Sequence, residues 1–354
     1  MHEPYKGLRP YEEADQDNFF GRDVEKRILI DKILTHKLTL LFAASGVGKS
    51  SLLQAAVIPE LKRPERENLD VVYFKDWVDD PRVTLKATTI ELLTQNQKIT
   101  PEYHFDPELS LAEFFRLCSL FSSEPLVIIL DQFEEFFNRQ HFYPSATFNQ
   151  LIHQLAQAIL DAASSTLFVI SMREDFALEL NVFKPALPTL LFENFYRLEK
   201  LSVRNAQQAI VKPLIPFGFA YEDGLLATLI RDLSQREKRD RFGSAAEVID
   251  APSVVEPPHL QIVCQQLWQA EQHSPQRLIS HAVYASKGQA QGILDNYFRQ
   301  HIKNFSFQEK KYASKAFNFL VNKHGTKMAY PLGDLAKQLR VDETSRRNNH
   351  CHKL

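Results

Sequence analysis

The segment Ser45-Gly46-Val47-Gly48-Lys49-Ser50 combines the residue types that bind a phosphate chain. Glycine tolerates positive φ and has no side chain, so the backbone N–H groups of this loop can turn inward around an anion. Lys49 would supply a cation to the β- and γ-phosphates, and the Ser50 hydroxyl would bind Mg²⁺. These residues therefore predict a loop that binds a nucleoside triphosphate, with ATP as the expected ligand.

The tripeptide Gly48-Lys49-Ser50 is a weak indication by itself, because so short a pattern recurs by chance. Its surroundings strengthen it: an apolar run precedes it at residues 38–42 and a helix-forming stretch follows at 49–57, which is the strand, loop and helix order that the motif requires. Ala43 stands where the usual pattern has its first glycine, and we expect its small methyl group to leave binding intact. The alternative is a glycine-rich turn without a ligand.

A second motif ends the apolar run at residues 126–130. Asp131 follows this run and should emerge at the carboxyl edge of a parallel sheet, where its carboxylate would hold Mg²⁺ directly or through water. The wide spacing between Lys49 and Asp131 leaves room for another strand, which favours the ATPase class with an extra strand between these Walker A and Walker B motifs.

Many ATPases of this class place the acid that activates water directly after the magnesium aspartate, but this sequence has Gln132 there. Glu134 or Glu135 would then reach the attacking water from the start of a helix. The alternative is that both acids only stabilise the amino terminus of that helix and that hydrolysis is slow.

Arg173 follows the next apolar run and should emerge at the same edge of the sheet. Its guanidinium could sense the γ-phosphate there. The alternative is an ordinary surface ion pair with Glu174 or Asp175.

The elements that must position these residues alternate between strand and helix over about the first 200 residues, which predicts a parallel α/β sheet flanked by helices. After that, apolar positions recur with helical spacing and no strong strand follows, so we expect a helical second domain. The strand-like runs are 38–42, 71–74, 126–130, 167–170 and a weaker 195–198, and helical patterns lie near 84–96, 109–122 and 145–163.

Composition excludes several classes of protein. The 354 residues have a net charge of −2 and are 44% hydrophobic, which is typical of a globular protein without general affinity for nucleic acid or anionic membranes. No segment resembles a signal peptide or a membrane span, and the three cysteines lack the paired spacing of a zinc site, so we expect a cytoplasmic protein. We expect residues 236–258 to form a solvated, mobile loop and His350-Cys351-His352 to lie in a disordered tail rather than a metal site.

Together, six motifs between about residues 4 and 300 resemble the STAND NTPases (signal-transducing ATPases with numerous domains), and in particular the novel STAND NTPase branch, which is related to the AAA+ ATPases. They are Pro4-Tyr5-Lys6-Gly7-Leu8-Arg9-Pro10-Tyr11, Asn18-Phe19-Phe20-Gly21-Arg22-Asp23, Ser45 to Leu52, Asp131-Gln132-Phe133-Glu134-Glu135-Phe136-Phe137, Met172-Arg173-Glu174-Asp175-Phe176, and Pro258-His259-Leu260-Gln261 ahead of Leu267-Trp268.

The resemblance implies that Phe20-Gly21-Arg22 and Pro258 border the adenine, and that Arg173 reads the γ-phosphate. It also implies a base-binding segment at 1–24, a P-loop NTPase core at 25–200, a helical lid at 201–300, and part of a winged-helix-like module with a tail at 301–354. The nucleotide would contact Phe20, Gly21, Arg22, Ser45, Gly46, Val47, Gly48, Lys49, Ser50, Ser51 and Pro258.

Three functional hypotheses follow. The first is an ATP-dependent signalling switch with slow hydrolysis, whose nucleotide controls self-assembly into a homo-oligomer and which answers to an unidentified trigger or effector protein. The second is an AAA+-like mechanochemical or DNA-associated loader, against which the near-neutral charge argues. The third is a scaffold that ATP stabilises without turnover. We expect neither a membrane nor a nucleic-acid partner.

Overall fold

The computed structural model describes residues 3–65, 68–122, 124–139, 145–188, 191–236 and 253–320, together with Leu335 and Leu339. Five apolar segments form a parallel sheet at its centre: β1 (Leu38–Ala43), β2 (Asp70–Phe74), β3 (Leu126–Leu130), β4 (Leu167–Arg173) and β5 (Phe195–Arg197). Their order across the sheet is β2-β3-β4-β1-β5. The predicted parallel α/β sheet is confirmed. Between β1 and β3, β2 intervenes in sequence and β4 intervenes in space.

The sheet is buried on both faces, which explains why its strands read as continuous apolar runs rather than as alternating patterns. Successive residues of β3 nevertheless point to opposite faces. Val127 and Ile129 belong to one hydrophobic cluster, which also contains the helix after β1. Ile128 and Leu130 belong to the other cluster. This alternation decides which side chains can meet above the carboxyl edge of the sheet.

Helices cover both faces and begin at recognisable caps. Asp80 accepts a hydrogen bond from the N–H of Arg82 at the start of one helix, and Ser110 forms a capping box with Glu113 at the start of another. The predicted helices near 84–96, 109–122 and 145–163 are all present. The core helices are α1 (Asp23–Thr35), α2 (Lys49–Leu52), α3 (Ile58–Leu61), α4 (Pro81–Gln95), α5 (Leu111–Cys118), α6 (Glu134–Asn138) and α7 (Ser145–Leu160), with a π-helical turn at Leu53–Val57 and 3-10 helices at Glu13–Asn18 and Glu174–Phe183.

The region after the sheet is mainly helical, as its periodicity predicts. It also contains an antiparallel three-stranded sheet and a parallel two-stranded sheet, which the sequence did not indicate because strands of two or three residues are too short to show a period. Its elements are β6 (Leu201–Ser202), α8 (Val203–Val211), a 3-10 helix (Lys212–Phe217), β7 (Ala220–Tyr221), α9 (Leu225–Leu233), β8 (Ser234–Arg236), β9 (Ser253–Val255), α10 (Pro257–Glu271), β10 (Leu278–Ile279) and α11 (His281–Ser286).

The chain divides into two compact units, residues 1–286 and 287–354. The second contains α12 (Gln289–Lys303) and α13 (Phe307–Leu320), where the rings of Phe298 and Phe317 meet edge to face at 5.6 Å. Most of the predicted winged-helix-like module, the centre of the predicted loop at 236–258 and the tail His350-Cys351-His352 lie outside the described residues. The four domain boundaries remain predictions.

Two further features concern the described residues only. Cys118 and Cys264 are buried free thiols. None of the helices in the described ranges is long and apolar enough to span a membrane.

Candidate functional site

The loop between β1 and α2 has the backbone geometry of a phosphate cradle. Gly46 and Gly48 have φ angles of 83° and 104°, a conformation in which a side chain would be strained. A Cβ atom on Gly48 would meet nothing within 4 Å, so open space lies beside the loop. Gly48 also directly precedes α2, whose first N–H groups have no partner within the helix. The loop and the helix terminus therefore offer donors to one anion.

Lys49 lies above the carboxyl end of β1. Its Nζ donates to the carbonyl oxygen of Ala43 at 3.3 Å, which uses one of three N–H donors. Burial lowers the pKa of Lys49, while the carboxylates of Glu134 and Asp131 act in the opposite direction. The ammonium group is thus drawn partly out of water and lies near both acids, as a group that binds phosphate oxygens should be.

Asp131 is fully buried, and its two carboxylate oxygens have different surroundings. Oδ2 accepts a hydrogen bond of 2.6 Å from the hydroxyl of Tyr73. Oδ1 is buried without a hydrogen-bond partner in the described part of the chain. A buried, unpaired carboxylate oxygen costs about 1–3 kcal/mol, so this atom is suited to a ligand. A carboxylate oxygen of this kind is a hard ligand of the type that Mg²⁺ prefers, and the pairing of Asp131 with Ser50 at a cation stays a prediction.

The polar residues after Asp131 occupy different environments. Gln132 is exposed, with a left-handed φ of 53°. Glu134 is buried, accepts the backbone N–H of Arg173 at 3.2 Å, and has its pKa raised chiefly by burial. Glu135 is half-buried and accepts a 3.5 Å hydrogen bond from the Asn138 side chain. The carboxylate of Glu134 opposes the lowering of the Lys49 pKa by burial.

Arg173 ends β4 directly beside Ala43, which ends β1. Its guanidinium forms a two-pronged ion pair with Asp175, with Nε–Oδ1 at 3.0 Å and Nη2–Oδ2 at 2.6 Å. The Arg173 side chain is only 12% exposed, whereas that of Asp175 is 49% exposed. The ion pair with Asp175 is thus present, and Arg173 lies at the carboxyl edge of the sheet, while its role in reading the γ-phosphate stays a prediction.

The motif Phe20-Gly21-Arg22 lies between the phosphate loop and α8. The buried guanidinium of Arg22 donates from Nη2 to the carbonyl oxygen of Val47 at 3.1 Å. Gly21 has a φ of 84°, and a Cβ atom there would lie 2.4 Å from the backbone oxygen of Asn205. The side chain of Phe20 is half-buried. This motif thus contacts both the loop and the first helix of the region after the sheet.

Helix α10 also approaches the phosphate loop. The Cγ atom of Pro258 lies 3.3 Å from the position that a Cβ on Gly46 would occupy. Tyr11 connects α2 to α10. Its backbone N–H donates to Ser51 Oγ at 3.1 Å, and its hydroxyl donates to Gln261 Oε1 at 3.1 Å. The amino-terminal segment therefore links the helix that follows the phosphate loop to α10.

The arrangement of a glycine-rich loop, a lysine and a strand-terminal aspartate agrees with the comparison of this chain with known families. The family model described as Novel STAND NTPase 1 matches residues 4–350. The chain belongs to this family. It is therefore a P-loop NTPase of the STAND type, and its fold matches that class.

Solved structures are similar to this STAND NTPase at low sequence identity. A Walker-type ATPase of Pyrococcus abyssi matches with a TM-score of 0.51 and 18% identity, over 94% of this chain and 92% of that chain. The ORC1 protein of Aeropyrum pernix in complex with DNA matches with a TM-score of 0.49 and 10% identity, over 92% of this chain and 78% of that chain. No curated protein sequence matches significantly.

The candidate site also contains residues to which the sequence analysis gave no role. Tyr73 bonds to Asp131 from the last position of β2 that faces α2, and Tyr11 and Gln261 form the connection to α10. The alternation of β2 could have indicated Tyr73, because a tyrosine near a strand's carboxyl end is polar where its neighbours are apolar. The pairing of Tyr11 with Gln261 has no local signal. Among the described residues, no group of three or more His, Cys, Asp or Glu side chains could hold a metal ion.

The close approach at Gly21 leads to a prediction about stability. Changing Gly21→Ala should lower the free energy of unfolding by about 3 kcal/mol or more, because positive φ costs about 1–2 kcal/mol and the Asn205 carbonyl must also move. Gly224→Ala is the matched control, since its φ is 79° but the nearest atom to a Cβ lies at 3.8 Å, so it should cost about 1 kcal/mol. Urea denaturation measures both. Equal losses would show that α8 does not press on Gly21.

Proposed function

We propose that this STAND NTPase is an ATP-dependent signalling switch, in which the bound nucleotide selects the arrangement of the core and the helical region after it, and thereby controls self-association. The observation that carries the proposal is the contact of Tyr11 with both Ser51 and Gln261. Ser51 lies beside the predicted magnesium ligand Ser50, and Gln261 lies in α10. A change at the phosphates would therefore reach α10 through one residue, by the backbone N–H of Tyr11 at Ser51 and its hydroxyl at Gln261.

The nucleotide assignment follows the geometry of the loop. The N–H groups from Ser45 to Lys49 would surround the phosphates, and the Lys49 ammonium would bind the β- and γ-phosphates. Ser50 and Asp131 would hold Mg²⁺, which neutralises phosphate charge when bound. The adenine would lie between Phe20-Gly21-Arg22 and Pro258. Arg22 donates to the carbonyl oxygen of Val47 in the phosphate loop, and Pro258 of α10 lies beside Gly46.

A switch needs contacts that differ between its two states. Arg173 can supply such a contact, because its guanidinium is held by Asp175 in this structure while lying at the edge where a γ-phosphate would be. ATP would compete with Asp175 for the guanidinium, and ADP would not. Pro258 and Gln261 are contacts by which α10 would respond, since Pro258 lies beside Gly46 of the phosphate loop and Gln261 is bound by Tyr11.

Slow hydrolysis is part of the proposal. The position directly after Asp131 holds the exposed Gln132, which is not a general base, so Glu134 would have to orient the attacking water from the start of α6. Its carboxylate is already engaged by the backbone N–H of Arg173. A timer that returns slowly to the ADP state is consistent with this arrangement.

The decisive test measures the molar mass of the purified protein by size-exclusion chromatography with light scattering. We expect a larger assembly with Mg²⁺ and a non-hydrolysable ATP analogue than with ADP, because only the analogue places a γ-phosphate near Arg173. The Lys49→Ala variant should give the smaller mass under both conditions. Identical masses for the wild-type protein with both nucleotides would contradict the switch.

A DNA-associated loader predicts a different result in a second assay. ATP turnover would rise strongly on addition of duplex DNA, and the stimulation would weaken as salt is raised. The net charge of −2 supports the switch, for which DNA should leave turnover unchanged. A scaffold would bind ATP yet show no turnover even when assembled.

A further inference from the structure

Tyr73 lies on the edge strand β2 but faces the nucleotide side of the sheet. It packs with Val71 against the hydrophobic cluster that contains α2 and the residues after it. Val127 and Ile129 of β3 lie on the same face, so Asp131 continues this row at the end of β3. The hydroxyl of Tyr73 thus reaches the carboxyl edge of the sheet from the side, next to the Asp131 carboxylate.

The hydroxyl of Tyr73 is bound to one oxygen of the Asp131 carboxylate. It donates to Asp131 Oδ2 at 2.6 Å, a short distance that is typical of a hydroxyl bound to a carboxylate. The second carboxylate oxygen, Oδ1, is buried and has no hydrogen-bond partner in the described ranges.

We propose that Tyr73 is a positioning residue for the divalent cation, because its hydroxyl orients the Asp131 carboxylate. Holding Oδ2 fixes the plane of the carboxylate and leaves Oδ1 for the cation or for a water molecule bound to it. The inference rests on the proposed function, since it assumes that Ser50 and Asp131 face the nucleotide's Mg²⁺.

The change Tyr73→Phe removes the hydroxyl and keeps the ring in its packing. Outer groups that orient metal ligands usually contribute 10- to 100-fold to metal affinity. We therefore expect the ratio of the ADP dissociation constant in EDTA to that in saturating Mg²⁺ to fall by about 10-fold or more. The dissociation constant in EDTA itself should stay within about 2-fold of the wild-type value, because Tyr73 does not form the phosphate loop. Calorimetric titration with ADP measures both constants.

Tyr196→Phe is the matched control. Tyr196 lies in the opposite edge strand β5, is half-buried, and packs against the same hydrophobic cluster as Tyr73. Removing the Tyr196 hydroxyl should leave unchanged the ratio of the ADP dissociation constant in EDTA to that in saturating Mg²⁺. A thermal melt of both variants checks that each is folded during the titrations.

The outcomes separate this inference from the proposed function. If wild-type protein fails to bind ADP, the nucleotide assignment itself is wrong. If wild-type protein binds ADP with a Mg²⁺ preference that Tyr73→Phe retains, only the positioning role is overturned. A parallel loss of affinity in EDTA and in Mg²⁺ would also overturn it, because that pattern would show a structural role for Tyr73.

Discussion

The Lys49→Ala variant should lose ATP binding, with a dissociation constant at least about 100-fold higher than that of the wild-type protein. A hydrogen bond to a charged group contributes about 1.5–3 kcal/mol, and Lys49 would lose such bonds to two phosphates at once. Its partly buried position strengthens the expectation, since burial already lowers the pKa of the ammonium group and an anion beside it would restore a favourable charge balance. Isothermal titration calorimetry with ATP and Mg²⁺ measures the change.

Lys37→Ala provides a control at the opposite end of the same strand. Lys37 precedes β1, donates to the backbone carbonyl oxygen of Thr166 at 3.3 Å, and also has a pKa lowered by burial. Its removal should reduce stability but leave ATP affinity within about 2-fold. Unchanged affinity in Lys49→Ala would remove the nucleotide assignment, and equal losses in both folded variants would show that the effect is not specific to the phosphate loop.

The sheet could be predicted because its strands are buried on both faces. Runs such as Leu126-Val127-Ile128-Ile129-Leu130 are short and apolar throughout, which is typical of strands in a parallel sheet that is buried on both faces. The approximate placement of Lys49, Asp131 and Arg173 followed, since parallel strands bring their carboxyl ends to one edge.

The remaining parts of the site depend on packing between distant segments. Tyr11 contacts Gln261, which is 250 residues away in the sequence, and Gly21 lies against the backbone of Asn205. No local sequence pattern predicts either contact. The strands of the two small sheets are likewise formed by pairing between segments that are separated in sequence. The choice between Glu134 and Glu135 needed the phase of α6, because adjacent residues of a helix point about 100° apart.

The second prediction with a large expected effect concerns which glutamate of α6 activates the attacking water. Glu134 is buried, close enough to Lys49 to oppose the lowering of its pKa, and near the end of β4 through its hydrogen bond with the N–H of Arg173. Glu135 points elsewhere and accepts a hydrogen bond from Asn138. A carboxylate must lie within reach of the water it activates, so we assign that role to Glu134 as a proposal.

Glu134→Gln should therefore lower the rate of ATP hydrolysis by about 100- to 10,000-fold while ATP affinity stays within about 3-fold. The glutamine keeps a side-chain oxygen that can accept the Arg173 N–H, so the fold of the site should survive. Glu135→Gln is the matched control and should retain turnover within about 3-fold. Single-turnover release of labelled phosphate measures both, since it does not require fast cycling. The reverse pattern would assign the role to Glu135, and two unaffected variants would mean that neither acid activates the water and that both stabilise the start of α6.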